Sequence, residues 1–181
     1  MSFSYEIKSE VARLDSGRTE NISELSAIIR NVAKIDKSII ITIENSAIAR
    51  RIFKLIKDIY DTTPIITIRK RYNFNKGLSY ILDIKEKNEQ ILKDLSILDE
   101  QGNYLNIPKD YIIEDEEEVR AYLRGLFMCV GSINDPKTSR YHLELLVDNF
   151  KYAKFISQIL NKYNLNSKVI KRKKNYMIYI K

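Results

Sequence analysis

Two short clusters of cationic side chains could grip a polyanion. Arg69-Lys70-Arg71 closes a run of β-branched residues, and Lys171-Arg172-Lys173-Lys174 stands at the corresponding place in the second half of the chain, with Tyr72, Phe74 and Tyr176 interleaved nearby. Paired clusters of this kind suit the two strands or half-sites of a nucleic-acid duplex, through phosphate contacts that give affinity without sequence choice. The same residues also suit hairpin ends, which need polar side chains, and no Asn/Gln/Arg pattern reads as base recognition. Arg50 and Arg51 are weaker candidates, on a helix expected to lie outside any sheet. Other chemistries have little to work with. His142 lies in a strand-like run without a Cys or carboxylate cluster at metal spacing, so it reads as a half-exposed structural histidine. The single cysteine, Cys129, sits in an apolar run and reads as a buried, inert thiol. It also excludes an internal disulfide and fits a reducing compartment. The five glycines are scattered, so no loop is built to cradle phosphate.

Charge is distributed so as to place the contact surface. The chain of 181 residues is 44% hydrophobic and 30% charged, with a formal net charge of +7, the balance of an ordinary folded protein. Residues 1–85 hold 15 Lys+Arg against 10 Asp+Glu, residues 86–118 hold 3 against 11, and residues 119–181 hold 13 against 3. The acidic middle would repel a polyanion, so the contact is expected on the two basic flanks. Glu6, Lys8 and Glu10 interrupt any secretory segment at the start, and no apolar run approaches the length of a membrane span. The expectation is a cytoplasmic protein with no membrane partner.

The elements that must position these residues are written twice. LSAIIRNVAKI from Leu25 answers LRGLFMCVGSI from Leu123, and ITIENSAIARRIFKLIKDIYDTTPIITIRKR answers LELLVDNFKYAKFISQILNKYNLNSKVIKRKK. A period this long is that of a duplicated subdomain, not of a solenoid. Within each copy the apolar periodicities predict the order α-β-β-α-β-β. Ile39–Ile43 is β-branched enough to demand a strand; Asn45-Ser46 caps a helix over 47–60 whose outer side takes Arg50, Arg51, Lys54 and Lys57. Strands are expected over 65–71 and 79–84, turned by Asn75-Lys76-Gly77, and a helix over 86–98 closes the first half. The second copy reads as a helix over 119–130, a strand pair over 131–148 with a turn at Asn134–Lys137, a helix over 150–163 and a hairpin over 166–180. A short amphipathic helix over 4–14, capped by Ser4, precedes everything. Glu114–Glu118 reads as an acidic helix start. Gly125 and Cys129, like Ala27 and Asn31, are spaced four apart, which lets the two matching helices approach closely at a pseudo-twofold axis.

Leu25–Ala33 and Leu123–Gly131 resemble the LAGLIDADG motif of homing endonucleases in its duplicated, single-chain form. More closely, SFSYEIKSEVARL, ITIENSAIARRIFKLIK and YLRGLFMCVGSINDPKTSRYHLELLVDN resemble the bacterial WhiA family, over essentially the whole chain. The resemblance implies an α+β fold of two pseudo-symmetric αββαββ halves packed on the motif helices. It implies a first half over 1–98, an acidic linker over 99–118 and a second repeat over 119–181, with the family's helix-turn-helix domain outside this chain. It implies a DNA-binding regulator tied to sporulation, cell division and chromosome segregation, nucleoid-associated, with a basic sheet laid over DNA. In active members of the nuclease class each motif helix delivers one acidic residue near its end, to hold Mg²⁺ at the scissile phosphate. The matching positions here are Val32 and Val130, which offer no lone pair. Asp36 and Asp135 lie just beyond, in expected turns. The expectation is therefore a non-enzyme with no metal and no cofactor, whose partner is DNA held weakly and salt-sensitively. A protein-interaction scaffold is the alternative, and a live metal-dependent endonuclease a lesser one.

Overall fold

The duplication is carried into space element by element in the computed structural model, which describes residues 1–73, 76–138, 140 and 142–181. Helix α1 (Phe3–Val11) precedes the first repeat, which runs α2 (Arg18–Val32), β1 (Ala33–Ile35), β2 (Ile39–Ile43), α3 (Ser46–Tyr60), β3 (Ile65–Arg71) and β4 (Gly77–Ile84). Helix α4 (Asn88–Asp94) follows it. The second repeat runs α5 (Glu116–Val130), β5 (Gly131–Ile133), β6 (Leu143–Val147), α6 (Phe150–Asn161), β7 (Lys168–Arg172) and β8 (Asn175–Ile180). The strands form two antiparallel sheets of like order, β1-β2-β4-β3 and β5-β6-β8-β7. Their registers correspond: Ala33 faces Ile41 as Gly131 faces Leu145, and Ile43 faces Tyr80 as Val147 faces Tyr176. This is the αββαββ architecture expected from the repeats.

Alternation decides which face of each sheet is covered. Ile39, Ile41, Ile43, Leu82 and Ile84 point one way and are buried with Ile28, Ile29, Ile52 and Ile56 of the helices. Leu145, Val147 and Ile178 do the same in the second sheet, with Tyr122, Leu126, Ala153 and Ile156. Each fully buried aliphatic side chain contributes about 1.5–3 kcal/mol relative to exposure. The two cores interlock, because Met128 of the second repeat sits in the first core and Ala27 of the first repeat in the second. Between them α2 and α5 pack more extensively than any other pair of elements. A Cβ at Gly125 would stand 2.5 Å from the Glu24 carbonyl oxygen, so the close backbone approach expected of the small residues is real.

Several boundaries differ from expectation, each for a local reason. Helix α1 starts earlier, because Ser2 Oγ accepts from the Tyr5 amide at 3.2 Å; Ser4 is not its cap. Helix α2 begins at Arg18, and its polar first half is buried at Ser23, Glu24 and Ser26 by contact with the rest of the molecule. Helix α4 stops at Asp94, since the left-handed Ser96 (φ 58°) lets the amides of Ile97 and Leu98 close on the Leu92 carbonyl. Helix α6 ends at Asn161 rather than 163. The acidic stretch between the repeats is not a tether. Its Leu98–Tyr104 bridge, a 3-10 turn at Asp110–Ile112 and the fully buried Ile112 fold it onto α2. Arg30 anchors it by donating to the carbonyls of Leu105 and Ser96, between the rings of Tyr104 and Tyr152.

Helix α5 starts at Glu116 under a capping box, in which Asp115 accepts from the Glu118 amide at 2.8 Å and Glu118 accepts from the Asp115 amide. Asp115→Ala removes one half of that box and is expected to cost about 1 kcal/mol, measured as a lowered urea midpoint at unchanged m-value.

Candidate nucleic-acid interface

Strand alternation divides the basic clusters. Paired residues share a face, so the register Ile66–Leu82, Ile68–Tyr80 and Lys70–Leu78 puts Lys70 on the helix-covered side of the first sheet. Arg69 and Arg71, opposite Ser79 and Gly77, lie on the open face. In the second sheet Lys171 pairs with Tyr176 on the covered side, and Arg172 pairs with Asn175 on the open side. Lys173 and Lys174 form the turn between β7 and β8, Lys173 at φ 57°. The clusters therefore belong to strands and a tight turn, not to loops beyond strands, and only part of each looks outward from the open face. Two cations missed by a search for clusters join them there: Lys34, opposite Ile40, and Lys168, opposite Tyr179. Lys168 could have been found by stepping back four residues from Arg172 along one face of a strand.

Both outer arginines lie back across their sheets. Arg71 Nη1 reaches Glu44 Oε1 at 2.5 Å, its guanidinium so close over Gly77 that a Cβ there would meet Nη2 at 2.9 Å. Arg172 Nη1 lies 3.4 Å from Met177 Sδ and 3.6 Å from Glu144 Oε2. Glu144 Oε1 is also 2.7 Å from His142 Nε2, and the His142 ring stacks on Tyr179 at 5.8 Å and 8°. His142 is thus part of an open-face side-chain group, and among the described residues no cluster that could hold a metal ion includes it. Of the aromatics read near the clusters, Tyr72 is 85% exposed. Tyr176 packs on Phe150 at 5.3 Å on the covered side, and Phe74 lies outside the described residues.

The ends of α2 and α5 meet at a cleft of about 460 Å³ whose lining includes Val32, Thr42, Glu44, Cys129, Gly131 and Ser132, together with Ser2, Ser4, Tyr5 and Lys8 of the N-terminal segment. Thr42 and Ser132 are open-face positions, so the cleft opens where both sheets spread from the helix pair. Helix α1 walls one side of it, packed on α3, α5 and β5, and Ser4 Oγ accepts from the Ile133 amide at 3.3 Å. A divalent ion at these helix ends would need hard oxygen ligands. Val32 and Val130 have none, the cleft's carboxylate Glu44 is taken by Arg71, and Lys8 adds a cation whose pKa burial pushes down. The residues present do not fit a metal. Asp36 sits in the β1–β2 turn, its amide bonded to the Ser38 carbonyl. Asp135 closes its own turn by accepting from the Lys137 amide at 2.9 Å. Burial pushes the Cys129 thiol up to about 12, so it stays protonated at neutral pH.

Arg51 does not take the outer side of α3. It turns inward to Glu24, Nε to Oε2 at 2.5 Å, while Arg124 of α5 donates to the other oxygen of the same fully buried carboxylate. Arg51 also donates to the Leu14 carbonyl, and Arg124 to Ser16 Oγ. Glu24 thereby ties both repeats and the N-terminal segment together. Arg50 is exposed beside a second cleft, between α1 and α3 and away from the open faces. Among the described residues no helix is long and apolar enough to cross a membrane.

Comparison with known proteins agrees with this architecture. The family pattern for a WhiA N-terminal LAGLIDADG-like domain matches residues 18–98, and that for a WhiA LAGLIDADG-like domain matches residues 119–181. A probable cell division protein WhiA of Clostridium botulinum is 42% identical over 193 residues, an alignment that takes in 100% of this chain and 61% of that protein. A Staphylococcus aureus protein of the same name is 38% identical over 186 residues, covering 100% and 59%. The chain thus spans about three fifths of the length of these relatives. The crystal structure of the N-terminal LAGLIDADG domain of DUF199/WhiA superposes with a TM-score of 0.77 at 24% identity, over 99% of this chain and 84% of that one. The homing endonuclease I-DmoI in complex with DNA and Ca superposes with a TM-score of 0.62 at 16% identity, over 92% and 85%. The fold is that of the duplicated LAGLIDADG proteins, and the chain belongs to the WhiA family.

Proposed function

We propose that this chain is a DNA-contacting domain that does not cut, serving a WhiA-type regulator of cell division, and that it touches the duplex mainly through phosphates. The observation that carries the reading is a combination. Valines stand at both helix ends, where a metal would need oxygen, and cations stand on both open faces. Without metal ligands the scaffold can position a duplex but has nothing with which to activate water. Without a defended base-reading pattern, its affinity is electrostatic and weakly selective. In this reading the domain works at the nucleoid, needs no cofactor, and takes part in the division, sporulation and chromosome-segregation programmes that the resemblance implies.

The test is fluorescence anisotropy with a labelled duplex over a salt series. Weak binding that falls steeply with salt is expected. Replacing Lys34, Arg69 and Lys168 together by Ala should lower the steepness of the log–log plot by about 2.7, at about 0.9 per phosphate contact. No binding even at the lowest salt removes the DNA part. Magnesium-dependent nicking of a supercoiled plasmid, abolished by Asp36→Ala or Asp135→Ala, would overturn the non-cutting part.

One observation favours a protein partner instead. Ile66, Ile68 and Leu78 share the helix side of the first sheet near its outer edge, yet remain 43%, 58% and 43% exposed. A domain that ignores DNA but binds a protein in a way abolished by Ile68→Ser would make the scaffold reading the better one.

A further inference from the structure

We infer that the open faces carry an acid latch: Glu44 and Glu144 hold Arg71 and Arg172 folded onto the sheets, and a phosphate backbone must draw these arginines off to engage them. This rests on the DNA-contact reading and concerns its regulation. In each repeat an arginine near the outer end of an edge strand crosses the neighbouring strand to an inner carboxylate. It passes over Gly77 in one case and Met177 in the other. The two latches are not copies of one another. Glu44 follows the end of β2 in the first repeat, whereas Glu144 lies at the start of β6 in the second, four residues before Asp148, which follows Val147 as Glu44 follows Ile43. The same arrangement has thus been reached from different positions, which an inherited accident of the duplication would not produce.

Charge at these places works against a polyanion twice. Each carboxylate neutralises an open-face arginine, and each places a negative charge on the face the phosphate must approach. The latches are also weak enough to open. One partner of each pair is largely exposed, Glu44 at 62% against 29% for Arg71 and Arg172 at 60% against 34% for Glu144, and ion pairs open to solvent in this way add little stability. An arginine released from such a pair can trade its carboxylate for a phosphate at small cost. The first latch is the tighter of the two, with Arg71 hydrogen-bonded to Glu44 at 2.5 Å, whereas Arg172 stands 3.6 Å from Glu144, beside which His142 lies stacked on Tyr179.

The experiment replaces each latch by its uncharged isostere, Glu44→Gln and Glu144→Gln, singly and together. Glu100→Gln, an exposed glutamate in the segment between the repeats, serves as the control for net charge. Duplex binding is measured by anisotropy over a salt series. Each latch variant is expected to steepen the log–log salt dependence by about 0.9, equivalent to roughly eightfold tighter binding near 0.1 M salt, while the control changes little. Unchanged affinity and slope in both variants, with the parent binding, overturns the latch and leaves the DNA reading standing. Equal tightening by Glu100→Gln overturns it too. If the parent and every variant fail to bind at the lowest salt, the DNA reading falls and the latch falls with it.

Discussion

Glu24→Gln is expected to cost about 3–5 kcal/mol of stability, enough to leave a domain of this size marginal or unfolded. The carboxylate is 0% exposed, and it is the shared partner of Arg51 from α3 and Arg124 from α5, whose side chains are 9% and 16% exposed. The amide keeps the shape but removes the charge, so two largely buried guanidinium groups lose their counter-ion together. Neither can turn to water without giving up its second bond, to the Leu14 carbonyl or to Ser16. The measurement is a urea melt followed by circular dichroism. A loss below about 1 kcal/mol would show that water enters the site and that the union of the repeats does not depend on this ion triplet. A companion change, Arg124→Met, should also destabilise, and the double variant should lose less than the two single losses added, because the residues share one interaction.

Gly125→Ala turns on sign. A glycine inside a helix costs about 1 kcal/mol relative to alanine, so at a loosely packed position the substitution would stabilise. Here the added methyl would sit 2.5 Å from the Glu24 carbonyl oxygen and 3.2 Å from its carbon, both backbone atoms that cannot swing aside. The two motif helices must then separate, and the expected outcome is a net loss of about 1–3 kcal/mol, larger for Gly125→Val. A raised melting temperature for the alanine variant would mean that α2 and α5 do not touch as closely as described. Because an added Cβ would also stand 3.1 Å from Glu24 Cγ, the valine variant should displace that side chain and weaken the ion triplet.

Much of this arrangement could be read from residue order, and the remainder could not, for identifiable reasons. Ile39–Ile43 is β-branched enough to declare a strand, and the small residues at 27 and 125 mark a close helix pair. Helix α2 reaches back to Arg18, seven residues before the apolar run at Leu25, because Ser23 and Glu24 have the look of a surface in the sequence yet are buried in the fold. Arg51 carries the same misdirection: at helical spacing it falls among the exposed Arg50 and Lys54, and only the distant Glu24 draws it inward. The basic clusters were visible as composition, but which members share a face depends on register, and register is set by pairing with β4 and β8. The carboxylates that engage Arg71 and Arg172 lie 27 and 28 positions earlier in the chain, a separation that no local pattern reports.

Helix α1 leans on the edge of β5, while the stretch ahead of α5 takes another course and folds against α2. A half-turn about the central helices would therefore exchange the repeats but not restore the molecule. Its two sides are distinguishable to anything that approaches the cleft, so the domain has a front and a back despite its doubled ancestry. A partner arriving from one side would therefore meet different side chains from one arriving from the other.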